Sequence, residues 1–278
     1  MNANPGAMER ETMTQSATVD EPARGIPRII HQIFFGGESA APPSYRRYAE
    51  TWRKNHPAWD FQFWDASRCR SFLEQHYPPF LRMYDGYAHR IQRIDAIRYF
   101  ILHRCGGVYV DMDIENLRPI DDLIAGRDLL LGALRIGYTN AVMGSVPGHA
   151  LWPRVFETLL DRQHRFSWRA PLWSKLSMPL QVGYSTGPVM LTDCVSQGGH
   201  ERDPATQICP SYVFEPLSPR ADALPSDQGE VDLSGSYGIH HMSMHWLPFH
   251  HRIMSGLLGL ISKASRNRAM GKVDHDPP

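Results

Sequence analysis

The chain has 278 residues, 42% of them hydrophobic and 21% charged, with 29 basic and 29 acidic side chains. That length suits one large domain or two small ones of ordinary globular composition. A formal charge of zero lacks the basic excess of nucleic-acid-binding domains, so no nucleic-acid partner is expected, and the scattered Cys69, Cys105, Cys194 and Cys209 form neither a zinc ribbon nor a disulfide framework.

Residues 1–24 are polar and small, without a signal-peptide core, and read as a disordered leader. No apolar run reaches the roughly 18 residues of a membrane span. With the cysteine usage, this points to a cytoplasmic protein. Order is expected from Gly25. Ile29, Ile30 and Ile33 mark a buried first strand that Gly36-Gly37 ends. Tyr45 to Asn55 reads as a helix. Trp59 to Asp65 alternates as a second strand, and Ser67 to His76 reads as a second helix before Pro78-Pro79 interrupts.

The most informative block follows. Ile94, Ile97, Ile101 and Leu102 recur at helical spacing, Gly106-Gly107 stops that helix, and Val108-Tyr109-Val110 favours a buried strand. Asp111 and Asp113 come directly after it. In an extended chain, residues i and i+2 face the same side, so the two carboxylates are expected to point together off the strand end. Paired carboxylates resist ionising together, and a hard divalent cation with oxygen ligands relieves that. The alternative is a pair of turn residues closing a strand. Asp95 and Arg98, three apart, share a helix face, where the guanidinium fork suits phosphate or vicinal hydroxyls; the alternative is an intrahelical ion pair on a solvated face.

Beyond Asp113, Glu115 to Pro119 reads as a turn and Asp121 to Ala125 as a helical turn. Leu129 to Ala133 and Asn140 to Ser145 read as strands, and His149 to Arg162 as a helix. Ser167 to Tyr184, rich in aromatics, reads as a lid or acceptor-side insertion. Val189 to Val195 reads as a helix, Gln207 to Phe214 as a strand, Ala221 to Ser236 as a loop and Tyr237 to His241 as a last short strand. Strands and helices alternate through the first half, which argues for an α/β fold with a largely parallel sheet and a ligand crevice beyond the strand ends.

The segment Ile26 to Gln32, the Arg98 to Asp113 block ending Gly-Gly-Val-Tyr-Val-Asp-Met-Asp, and the late His240 to Trp246 segment together resemble the sugar-binding-region glycosyltransferases containing the DxD motif. That group includes the Och1-type and inositol-phosphoceramide mannosyltransferases and is more distantly similar to the clostridial glucosylating toxins. The resemblance spans roughly residues 26 to 250. It implies a GT-A fold with a Rossmann-like, mostly parallel sheet, a UDP- or GDP-linked sugar donor, a glycan or glycolipid acceptor, manganese or magnesium, and hexosyl transfer with retention. It further implies that Asp113 binds the metal and Asp111 faces donor ribose or sugar while sharing the metal. Asp95 and Arg98 would hold donor sugar and phosphate, and Phe34, with His31 and Gln32 beside it, would meet the nucleobase. His240 would join the metal or diphosphate, Trp246 the donor, and Asn140 a donor position. His245 stands where the group usually has Ser.

The expected organisation is a leader (1–24), a GT-A domain (25–250) and a terminal amphipathic basic segment (251–278). Within the last, Ile253, Leu257, Leu258 and Ile261 precede Lys263, Arg266 and Arg268, as in an interfacial helix that contacts a membrane peripherally or in an ordinary docked helix. Two other readings of the aspartate pair stay open: a metal-dependent phosphohydrolase and a non-catalytic nucleotide-sugar-binding module.

Overall fold

The computed structural model describes residues 25–165, 178–217 and 232–242. In chain order the elements are β1 (Ile29–Ile33), α1 (Pro43–Asn55), β2 (Asp60–Trp64), α2 (Ala66–His76), α3 (Leu81–Asp85), α4 (Arg90–Cys105), β3 (Gly107–Val110), β4 (Ile114–Asn116) and α5 (Asp121–Ile124). There follow β5 (Leu129–Ala133), β6 (Tyr138–Ser145), α6 (Leu151–Arg165), α7 (Met178–Ser185), α8 (Pro188–Gly198), β7 (Thr206–Cys209), α9 (Ser211–Phe214) and β8 (Gly238–His240).

Six strands form the central sheet in the order β2-β1-β3-β6-β5-β7, and β6 alone runs against the others. Successive residues of a strand face opposite sides. Tyr109, Leu129, Leu131 and Met143 therefore join one core with α2, α3, α4, α6 and α8, while Ile30, Val108, Val110, Leu130 and Val142 join another with Trp52 of α1 and with α5 and α9. Both faces being covered, these strands read as apolar runs rather than alternating patterns.

α4 is the central helix, with Ile97, Tyr99, Phe100, Ile101 and Leu102 fully buried. Gly106 ends it at φ 65°, ψ −158°, its N–H bonding Leu102 O at 2.9 Å. This is a glycine-only conformation outside the left-handed helical region. Space demands glycine as well: a Cβ on Gly106 would lie 2.6 Å from Pro147 Cδ, and one on Gly107 (φ 90°) 2.7 Å from Ile29 O. The pair thus lets α4 turn directly into β3 against β1.

Outside the central block, two elements differ from the sequence-based expectation. Residues 114–116 are not part of a turn; they form β4, paired antiparallel with β8 in a two-stranded ribbon. A three-residue strand whose partner lies more than a hundred residues away leaves no local pattern. The strand expected over 207–214 ends at Cys209, because Pro210 has no N–H for the ladder and opens α9 instead. Of the expected lid segment, 178–184 is helical and 166–177 lies outside the described residues. The leader and the basic segment 252–268 also lie outside them.

Candidate active site

Asp111 and Asp113 meet by a mechanism other than strand alternation. Asp111 N–H still bonds Ala141 O on β6 at 2.9 Å, but Ile114 N–H returns to Asp111 O at 3.1 Å, so residues 111–114 form a tight turn into β4. Met112 anchors the turn, buried with Ala41, Tyr45 and Ala49 and flanked by Phe34 and Phe63. The β4–β8 ribbon then brings in the third member, with His241 N–H bonding Asp113 O at 3.0 Å. Asp111, Asp113 and His240 each offer one ligand atom, and these atoms lie within 4.8 Å of one another. Side-chain exposures of 27% for Asp111, 13% for Asp113 and 14% for His240 leave the group reachable from solvent.

Behind this set lies a closed network. Arg98 on α4 is 1% exposed, and protein groups hold all three of its nitrogens: Nη2 pairs with Asp95 Oδ1 at 2.9 Å, Nη1 pairs with Asp111 Oδ1 at 3.2 Å and donates to Asn140 O at 2.6 Å, and Nε donates to Ile94 O at 3.2 Å. Its guanidinium also stacks 4.4 Å above the Tyr109 ring. Asp95 further accepts from Asn140 Nδ2 at 3.1 Å and from Thr186 Oγ1 at 3.2 Å. Tyr99 Oη donates to Thr186 O at 2.8 Å, and Tyr109 Oη donates to Asp111 Oδ1. Asp95, Arg98 and Asn140 thus sit together as the sequence suggests, but they are turned toward one another. Asp95 and Arg98 do form the intrahelical pair, in the interior rather than on a solvated face.

One guanidinium serves two carboxylates, and charge accounts for the rest. Burial pushes the Asp95 carboxyl up to about 7, Arg98 opposing and the nearby Asp111 adding to the rise. Asp111 is raised as well, first by burial, with Arg98 opposing and Asp113 reinforcing. Burial alone would depress Arg98, but Asp111, Tyr109 and Asp95 together hold it above its ordinary range. His240 Nε2 lies 3.3 Å from Asp113 Oδ1 and Nδ1 lies 3.3 Å from Glu215 Oε1. Burial opposes charging His240, yet these two carboxylates outweigh it and raise its pKa to about 10. Without an ion, a proton on this imidazole relieves Asp111 and Asp113; a cation bound there would take over that role and displace the proton from Nε2.

The remaining residues singled out from sequence divide. Phe34, edge-on to Tyr45 at 6.1 Å, flanks the aspartate turn and is half-buried. His31 is directed into the core: Nε2–H donates to Gly106 O at 2.9 Å, Nδ1 accepts from Trp64 Nε1 at 3.2 Å, and burial lowers its pKa to about 4. Its ring has no nitrogen left for a ligand. Gln32 points to the opposite face, its Nε2 buried and unpartnered among the described residues. Trp246 and His245 lie outside the described residues. His241 stacks on Tyr48 at 4.3 Å and pairs with Glu115 at 3.0 Å. Thr186-Gly187-Pro188 stands, by the resemblance drawn from the sequence, at a donor or acceptor position, and Thr186 joins the network on Asp95. Glu215 gives no sequence signal, being 25 residues from the histidine it faces.

Residues 42–130 match the model described as the glycosyltransferase sugar-binding region containing DXD motif. The chain is 31% identical over 171 residues to the inositol phosphoceramide mannosyltransferase 1 of Schizosaccharomyces pombe, covering 60% of this chain and 53% of that protein. It is 34% identical over 178 residues to an uncharacterized glycosyltransferase of Acanthamoeba polyphaga mimivirus, covering 62% of this chain and 65% of that one. The chain spans about half the length of the curated relatives it matches first. Among solved structures it is similar to the PaToxG glycosyltransferase, with TM-score 0.51, 14% identity, and coverage of 66% of this chain and 73% of that one. The resemblance drawn from the sequence stands on these matches: residues 42–130 match the sugar-binding-region model, and the α/β fold is of the GT-A type.

Proposed function

We propose that this chain is a retaining, divalent-metal-dependent glycosyltransferase that moves a hexose, mannose first among candidates, from a nucleotide-diphosphate sugar to a glycolipid or glycan acceptor. The convergence of Asp111, Asp113 and His240 carries this reading. Two carboxylates and one imidazole fit manganese or magnesium; zinc favours a richer nitrogen or sulfur set. Asp111, Asp113 and His240 would hold the ion. When bound, such an ion supplies Lewis-acid neutralisation of the charge that grows on a diphosphate leaving group.

The protein's own groups supply the rest. The Arg98 network fixes Asp111 from behind, and Met112 fixes the turn. Phe34 offers an aromatic face beside that turn for a nucleobase. Asp95, enclosed by Arg98, Asn140 and Thr186, holds that guanidinium in place rather than a sugar hydroxyl. In the transfer the bond from anomeric carbon to phosphate oxygen breaks, the acceptor oxygen bonds that carbon on the same face, and the acceptor proton passes to the departing phosphate. The names of the relatives favour mannose and an inositol phosphoceramide acceptor. Within the same proposal, residues 252–268 contact the membrane surface. Liposome flotation of the full chain against one ending at Pro248 tests that, and equal partitioning rejects it.

The test of function is a thermal-shift panel of GDP-mannose, UDP-glucose and UDP-galactose with manganese, followed by transfer to inositol phosphoceramide. A ligand of the folded state raises the melting temperature. One donor is expected to do so only with the metal, and to support transfer. No shift and no transfer with any donor would sink the reading.

A further inference from the structure

Glu215 lies beside the site and has no part in the chemistry proposed so far. It follows α9 directly, its N–H bonding Ser211 O at 2.8 Å. The same segment is tied to the start of β8: Tyr237 N–H donates to Val213 O at 2.7 Å, and Ser236 Oγ donates to Tyr212 O at 2.7 Å. Gly238 allows this close approach, since a Cβ there would lie 2.9 Å from Glu115 O and 3.3 Å from the Phe214 ring. The consequence is a carboxylate placed directly behind His240. Oε1 faces Nδ1 at 3.3 Å while Nε2, across the ring, faces Asp113 at 3.3 Å.

The Glu215 side chain is only 3% exposed, and its Oε2 has no partner among the described residues. A carboxylate buried with one oxygen unsatisfied is costly, and an apolar residue would serve stability better. Stability therefore does not explain Glu215, whereas its alignment with the imidazole does. A histidine that ligates through one ring nitrogen is held in orientation and tautomer by whatever accepts the proton of the other.

We infer that Glu215 is a positioning residue for the cation site. It accepts the Nδ1 proton of His240, so that the Nε2 lone pair faces the point shared by Asp111 and Asp113. Glu215 does not touch the ion and acts only through the imidazole. This inference rests on the reading of Asp111, Asp113 and His240 as a cation site.

The experiment titrates manganese(II) alone into the full chain and follows free ion by electron paramagnetic resonance, with thermal melts of every variant alongside. Glu215→Ala is expected to weaken binding by about 10–100-fold. Glu215→Gln keeps a carbonyl that accepts the Nδ1 proton and should recover part of that loss, a rescue that a space-filling role does not predict. Asp113→Ala and His240→Ala should lose the site. If those two lose it while Glu215→Ala binds as wild type, or Glu215→Gln binds no better than Glu215→Ala, the inference is overturned and the cation site stands. If Asp113→Ala and His240→Ala bind as wild type, the cation site itself fails, and the inference with it. Should Glu215→Ala not fold, nitrogen-15 spectra of His240 in the magnesium-loaded wild type decide: a proton on Nδ1 is expected, and one on Nε2 overturns the inference.

Discussion

Two acidic clusters lie within a few residues of each other here, and they are built on opposite principles. The Asp95–Arg98–Asn140–Thr186 network closes on itself: both Asp95 oxygens accept hydrogen bonds, Arg98 is engaged at every nitrogen, and both are buried. The Asp111–Asp113–His240 set stays open, partly exposed, with three ligand atoms converging on one point. Asp111 belongs to both, joined to Arg98 on one side and to the open point on the other. Buried polar groups that satisfy one another specify structure, whereas a partly exposed convergence of carboxylates and imidazole is a place for something else to bind.

That contrast makes variants of the two clusters fail differently. The largest expected effect is Asp113→Ala: transfer should fall by at least about 10²–10³-fold, the scale of losing one charge-stabilising group, with the melting temperature nearly unchanged. Steady-state kinetics with a parallel melt would check this, and a variant that loses both together would erase the distinction. Arg98→Ala should do the reverse and act on the fold, costing about 3–5 kcal/mol in urea unfolding because two carboxylates lose their buried counter-charge. A stable Arg98→Ala chain with lost donor affinity would instead place the guanidinium on the ligand.

The closed network should also register pH in stability. Folding raises the Asp95 carboxyl from its ordinary 3.8 to about 7, so between those values the folded state keeps a proton that the unfolded state releases. Its favourable contribution is fully present below about pH 3.8 and is lost as pH rises to about 7, by at most about 1.4 kcal/mol per pH unit. Asp95→Asn should remove that slope, so that unfolding free energies of wild type and variant diverge across the window. Parallel curves would show that Asp95 is ionised throughout. The smallest effect is expected of Thr186→Val, about 1 kcal/mol for one hydrogen bond on Asp95. Chemical denaturation resolves that, and a cost several-fold larger would mean that Thr186 also holds α7 and α8 in place.

The fold was legible where patterns were local. The apolar stripe of α4, the Gly106-Gly107 stop and the Leu129–Ala133 run each announce one element, and each is found within a few residues of its expected bounds. The site was legible in part, because the aspartates and Asp95, Arg98 and Asn140 cluster as residue types. What stayed hidden depends on distant partners. β4 exists only through β8, and the route by which Asp111 and Asp113 meet is a turn fixed by Met112 against α1. His31 looks like a strand-end ligand in sequence, yet strand alternation directs its ring toward Gly106 and Trp64. Glu215 gave no signal, since an isolated Phe-Glu-Pro segment says nothing of the imidazole behind which it folds.

The central claim, that Asp111, Asp113 and His240 hold a divalent cation, is tested most directly by anomalous diffraction at the manganese edge on crystals soaked with manganese and the donor that the thermal panel identifies. The account predicts one strong peak within bonding distance of an oxygen from each aspartate and of His240 Nε2. A peak elsewhere in the crevice with none at that point would contradict it.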